Sequence, residues 1–263
     1  VTTVRPDHLH IPGTFNYRDV GGLRTASGTR IRSGVLLRSA QLCRLDERGH
    51  DILRRLGVAT VHDLRGPGEA DRMGVDILPH GVRLEVTPFH SGVGAARAPH
   101  EAPQEPALPP HEAAARDDGS TTSRHLDLLE VYAEFPSMPE AGVAITAMAR
   151  SLARGDGAVL VHCAAGKDRT GWAVATLLRA VGVTEDDVLA DYLLSNEAVE
   201  SLAADIARNS GEPLPPALLG VSIEYLAAGT EAMHRRYGTI DGYLESIGIT
   251  PQLRAALHTR LLE

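Results

Sequence analysis

One ten-residue string carries the chemistry of this chain: His162-Cys163-Ala164-Ala165-Gly166-Lys167-Asp168-Arg169-Thr170-Gly171. It has the form H-C-x-x-G-x-x-R-[ST]-G. A free thiol ionises near ~8.5 and is mostly protonated at neutral pH, but a helix N-terminus and a neighbouring guanidinium favour the nucleophilic thiolate. Cys163, with Arg169 nearby, is placed for that. Residues Ala164, Ala165, Gly166 and Lys167, up to Arg169, can turn their N–H groups inward. The resulting nest, backed by the helix dipole, binds a phosphate dianion. Gly166 allows the tight turn. Arg169 offers a fork to two phosphate oxygens, and the same donors fit the equatorial oxygens of a phosphoryl-transfer transition state. Thr170 can donate its hydroxyl to the sulfur and ease its departure from a phosphocysteine intermediate. A Walker A loop is excluded, because it needs Ser or Thr after the lysine and Asp168 stands there.

Phosphomonoester hydrolysis also needs an acid for the leaving oxygen and a base for the attacking water. The candidates are Asp168, Asp63 and Asp127. A Pro-Asp dipeptide, the source of the acid in many phosphatases of this chemistry, occurs only at Pro6-Asp7. Lys167 would suit a substrate with more than one phosphate if it lies at the rim. Asp63 and Arg65 end a strand where an α/β site opens, so they read as substrate-binding residues or as a structural ion pair. Asn16 and Asp19 are expected to fix turns, and Cys43 to be a packed thiol.

The elements that must position these residues follow from pattern and punctuation. Residues 14–40 read as strands with a polar turn at 24–30, including a buried strand at 35–38. Asp46 caps a helix running to Leu56 and stopping at Gly57. Residues 58–64 form a second strand ending in a Gly-Pro-Gly turn, and 84–87 a third. Residues 91–123 read as a long mobile loop. Helices follow at about 124–134 and 140–153, then the strand 158–161 leading into the cysteine loop, then an apolar helix from about Thr170. Thr184 opens a helix expected to reach Asn209, Pro213, Pro215 and Pro216 break it, another runs from Ser222 to Gly238, and Thr250-Pro251 starts the last. The fold class is α/β, a central mostly parallel sheet flanked by helices with a helical C-terminus.

With 263 residues, 43% hydrophobic and 23% charged, the chain suits a single globular domain, 1–263. A net charge of -8 argues against nucleic-acid binding. No apolar run approaches a membrane span, and no secretory signal is visible. Two cysteines, Cys43 and Cys163, fit reduced thiols in the cytoplasm. No metal-ligand spacing occurs, and no cofactor is expected.

The loop resembles the protein tyrosine phosphatase signature. Its Ala-Gly-Lys-Asp-Arg version resembles the actinobacterial (mycobacterial-type) protein tyrosine phosphatase B family, which includes bacterial phosphatases with some phosphoinositide activity. Residues 16–22 (Asn-Tyr-Arg-Asp-Val-Gly-Gly), 37–42, 63–65, 132–135, 191–196 and the tail from Tyr237 to Ile249 resemble it too. The resemblance implies that Asp168 is the acid and that a helical lid, approximately 199–235, covers the site. It implies dephosphorylation of phosphotyrosine, extending to phosphoserine and phosphothreonine, with a phosphoinositide as the alternative substrate and phosphate as product. It also implies that export without a recognisable signal occurs among its members. A monomer is expected. From other classes, a non-catalytic phosphate-binding module lacks support because all the catalytic residue types are present. An arsenate reductase would need more redox cysteines than Cys43.

Overall fold

A computed structural model describes residues 11–89, 121–210 and 214–263. Its strands are Arg18–Asp19 (β1), Leu36–Ser39 (β2), Val58–Asp63 (β3), Arg83–Val86 (β4) and Ala158–His162 (β5). They form one sheet in the order β1-β2-β5-β3-β4. The contacts of β5 with β2 and β3, and of β3 with β4, are parallel, while β1 joins antiparallel at the edge. Both β2 and β5 are buried at every position. That pattern belongs to a parallel sheet covered on both faces. Alternate residues of β5 face opposite layers. Ala158 and Leu160 pack with Leu53 of helix α1 (Glu47–Arg55), whereas Val159 and Val161 join the larger core.

The larger core is built by Thr121–Glu134 (α3), Pro139–Arg154 (α4), Asp168–Ala180 (α5), Glu185–Leu193 (α6), Ile223–Tyr237 (α8), Ile240–Ser246 (α9) and Pro251–Leu261 (α10). Every residue of α5 is buried. The helix that follows the cysteine loop is therefore the axis of this layer, and Trp172 at its centre meets Phe135 and Tyr243.

The expected caps are present. Asp46 accepts from Gly49 N, Thr184 from Asp187 N and Thr250 from Leu253 N. Three elements differ from expectation. The Gly-Pro-Gly stretch opens a helix, Pro67–Met73 (α2), rather than a turn. Pro67 sits at the first helical position, where its missing N–H costs nothing. The helix from Thr184 does not run on to Asn209. A tighter 3₁₀ turn at Leu194–Ala198 separates α6 from Val199–Ser210 (α7). The short helix α9 has no strong sequence pattern beyond its Thr239 cap. Of the expected loop at 91–123, residues 91–120 lie outside the described residues, and Thr121–Ser123 belong to α3.

Candidate active site

The three central strands end level with one another. Ser39 and Asp63 both pair with His162, so the loop from Cys163 starts in the crevice beyond the strand ends, where α/β folds bind ligands. Gly166 has φ +67, and a Cβ there would lie 2.1 Å from the Ser39 carbonyl oxygen. The chain can pass only with glycine at this point. The peptide N–H groups of Ala164, Ala165 and Gly166 meet no acceptor among the described residues. Their carbonyls are all held from outside, by Gln41 N (3.2 Å), Asn16 Nδ2 (2.9 Å) and Arg38 Nη2 (2.8 Å) respectively. The loop thus shows its donors to the interior and its acceptors to the scaffold. Cys163 is 3% exposed.

Arg169, in the first turn of α5, is 1% exposed and gripped end-on by Glu69 of α2. Its Nη1 and Nη2 each lie 2.6 Å from a Glu69 oxygen. Burial alone would lower the guanidinium pKa, but Glu69, together with Cys163 and Asp168, holds it above its ordinary value. The Nε of Arg169 is buried without a partner among the described residues, which leaves the Nε–Nη2 edge for an oxyanion. Asp168 is buried beside it. Its Oδ1 accepts from Tyr132 OH at 2.9 Å and from Lys167 Nζ at 3.1 Å. Tyr192 OH in turn donates to Tyr132 OH.

Over residues 9–263 the sequence matches the tyrosine phosphatase family. The chain belongs to that family. It is 36% identical over 264 residues to the triple specificity protein phosphatase PtpB of Mycobacterium tuberculosis, covering 91% of this chain and 94% of that protein. It is 37% identical over 122 residues to a tyrosine-protein phosphatase of Nostoc commune, covering 43% of this chain and 42% of the relative.

Several residues of the phosphatase sit differently from expectation. Arg65 gives its donors to Asp63, Gln41, the Gly74 carbonyl and Asp76. Asp63 is taken up by Arg65 and its backbone N–H. The two form a buried ion pair, the second of the two readings the sequence left open. Lys167 is 2% exposed, with its Nζ toward Asp168 and the Gly220 carbonyl, and so does not stand as an exposed cation. The Thr170 hydroxyl is buried without a hydrogen-bond partner among the described residues, so the expected bond to sulfur is not formed here. Asp127 lies half-buried on α3 with no hydrogen bond to the loop. Asp19 fixes its turns as expected, accepting from Gly21 N and Gly34 N. Cys43 is half-buried, and burial pushes its thiol up.

Sequence reasoning missed Glu69, Asp76 and Asp191. Asp76 accepts at 2.6 Å from Nε2 of His162, the residue that precedes Cys163. Burial opposes a charge on His162, but Asp76 and then Asp63 outweigh it, and the imidazole pKa is raised. Glu69 stands at N3 of the Pro-initiated helix α2, where it also accepts from Gly66 N.

Proposed function

We propose that the phosphatase hydrolyses phosphotyrosine through a phosphocysteine on Cys163. The thiolate attacks phosphorus, the P–O ester bond breaks, and the leaving tyrosyl oxygen takes a proton from the Asp168 carboxyl. Water then attacks the phosphocysteine, Asp168 takes its proton, and the sulfur leaves with the bonding pair to release phosphate. The inward N–H groups and Arg169 hold the three equatorial oxygens throughout. The observation that carries this reading is the buried Nε of Arg169, without a partner among the described residues, beside a loop whose Ala164, Ala165 and Gly166 carbonyls are all held from outside. Asp63 and Arg65 act as scaffold.

The triple specificity in the name of the PtpB relative supports a range beyond phosphotyrosine. Side-by-side turnover of phosphotyrosine, phosphoserine and phosphothreonine peptides and a phosphoinositide measures it. The inward-turned Lys167 gives no added weight to a lipid substrate. No helix among the described residues is long and apolar enough to cross a membrane.

We further assign α7 and residues 214–222 to a lid. Leu202 and Ile206 of α7 pack with Leu219 directly on Ala165 of the loop, and Asp205 is tied to Gln41 and Arg44.

Cys163→Ser is expected to abolish turnover and leave phosphate affinity within a few-fold. Retention of most activity would rule out the covalent route. A pH–rate profile of Asp168→Asn is expected to show kcat down by about 10²–10⁴ with the high-pH limb lost, since that limb reports the protonated acid. A wild-type profile would move the acid to another carboxylate.

A further inference from the structure

A planar trans peptide points its C=O and the N–H of the next residue in opposite directions. Whatever fixes a carbonyl on the outside of the phosphate loop therefore fixes the following N–H on the inside. Three successive loop carbonyls are fixed in this way. Gln41 N holds Ala164 O, which turns Ala165 N–H inward. Asn16 Nδ2 holds Ala165 O and turns Gly166 N–H inward. Arg38 Nη2 holds Gly166 O and turns Lys167 N–H inward.

The two side-chain donors belong to one buried network. Asn16 Oδ1 accepts from Arg18 Nη1 at 2.6 Å, which settles which end of its amide faces the loop. The two oxygens of Asp191 accept separately from Arg18 Nε (2.7 Å) and Arg38 Nη1 (2.5 Å). Arg18 also reaches Ser195. Arg18, Arg38 and Asp191 are all buried. Burial and the neighbouring Arg38 push the Arg18 guanidinium down to about 10. Both arginines hold the Asp191 carboxyl below the ordinary carboxylate range although burial opposes this. Asn16 has φ 53, the one non-glycine residue with positive φ among those described. Such backbone is costly for most residues and tolerated by asparagine. Three sequence segments with no role in the chemical steps, around Asn16–Arg18, Arg38 and Asp191–Ser195, thus converge on the back of the cradle.

We propose that Asn16 and Arg38 are positioning residues that set phosphate affinity by dictating which way the loop peptides face. This rests on the phosphatase reading of the loop. Without Asn16 the Ala165–Gly166 peptide is free to turn over, which replaces a donor to phosphate by a carbonyl dipole that repels it.

The test compares wild type, Asn16→Asp and Asn16→Gly on a phosphotyrosine peptide, with inhibition by inorganic phosphate and by orthovanadate. Asn16→Asp keeps the acceptor toward Arg18 but sets an oxygen against Ala165 O. Asn16→Gly removes the donor while permitting the positive φ. Expected are inhibition constants for both anions raised at least tenfold in Asn16→Asp, a smaller rise in Asn16→Gly, and Tm without anion within a few degrees of wild type. Arg38→Lys, which keeps charge and one donor, is expected to stay closer to wild type than Arg38→Gln. A residue that served the fold alone would lower Tm and leave the inhibition constants of the folded protein unchanged. Constants within twofold of wild type in both Asn16 variants overturn the proposal. If Asn16→Asp does not fold, Asn16→Gly is judged by the same twofold limit. Wild type that neither turns over the peptide nor binds phosphate would instead refute the phosphatase reading.

Discussion

Arg169 meets two demands with one guanidinium, and the residues that let it do so differ in how legible they were. Its end-on fork is spent on Glu69, while its Nε has no partner among the described residues and its side edge is the one proposed above for substrate. Removing one partner of a buried ion pair costs about 3–5 kcal/mol, because the other charge is left uncompensated. Glu69→Gln keeps the shape and one acceptor, so a smaller loss is expected. We predict a fall in kcat/KM of about 10²-fold, corresponding to about 2.7 kcal/mol, read on a phosphotyrosine peptide. An unchanged kcat/KM would mean that the loop alone aims Arg169. Cys163, Gly166 and Arg169 could be recognised in the sequence because one turn of backbone demands each type at its own place. Glu69, Asp76 and Asp191 could not, since a lone carboxylate says nothing of a partner 100, 86 or 173 residues away. The full set of partners of Arg65 was hidden for the same reason. The sequence shows a cation at a strand end, but not the acids that occupy it.

Strand β5 delivers His162 to a buried carboxylate, and this gives the element a pH signature. His162 is held above its ordinary value by Asp76 and Asp63 against burial, and Asp76 is held below its own by His162 and Arg65, also against burial. Below about 6.5 the imidazole is protonated in folded and unfolded chains alike, and its ion pair contributes in full. That contribution is lost as pH rises through the raised folded value. The part carried by Asp76 is present above about 3.9 and lost as pH falls through its depressed folded value. Wild-type Tm is therefore expected to decline on the alkaline side of about 6.5. Asp76→Asn should lower it by about 5–10 °C at pH 6, from a loss of about 3 kcal/mol, with a flatter alkaline decline. Parallel melting profiles for the two proteins would show that the pair adds nothing. Helix starts were readable from Asp46, Thr184 and Thr250 because a cap is a local bond. Helix α2 was not, since Gly-Pro-Gly serves a turn as well as a proline-led first turn, and only the Glu69–Arg169 pairing decides between them.

At the scale of the whole molecule the nucleophile is enclosed, with the α7 cluster lying on the loop. Under the lid assignment proposed above, substrate entry requires α7 to lift, and the same motion would expose the Cys163 sulfur to oxidants. Truncating Ile206 to alanine should weaken closure by about 1.4 kcal/mol or more, which raises the open fraction about tenfold. Inactivation by hydrogen peroxide, followed by residual phosphatase activity, should accelerate accordingly in Ile206→Ala. A folded variant inactivated at the wild-type rate would remove the lid from the account. The sheet order has a different consequence, for biosynthesis. Strand β5 lies between β2 and β3, which are not paired with each other, yet it is made after both. Until residue 162 has emerged from the ribosome, β2 and β3 lack the strand that pairs both of them. Unpaired strand edges invite association with other chains. The segment that brings the reactive sulfur is thus also the one that closes the sheet, so a chain cut short before it lacks both.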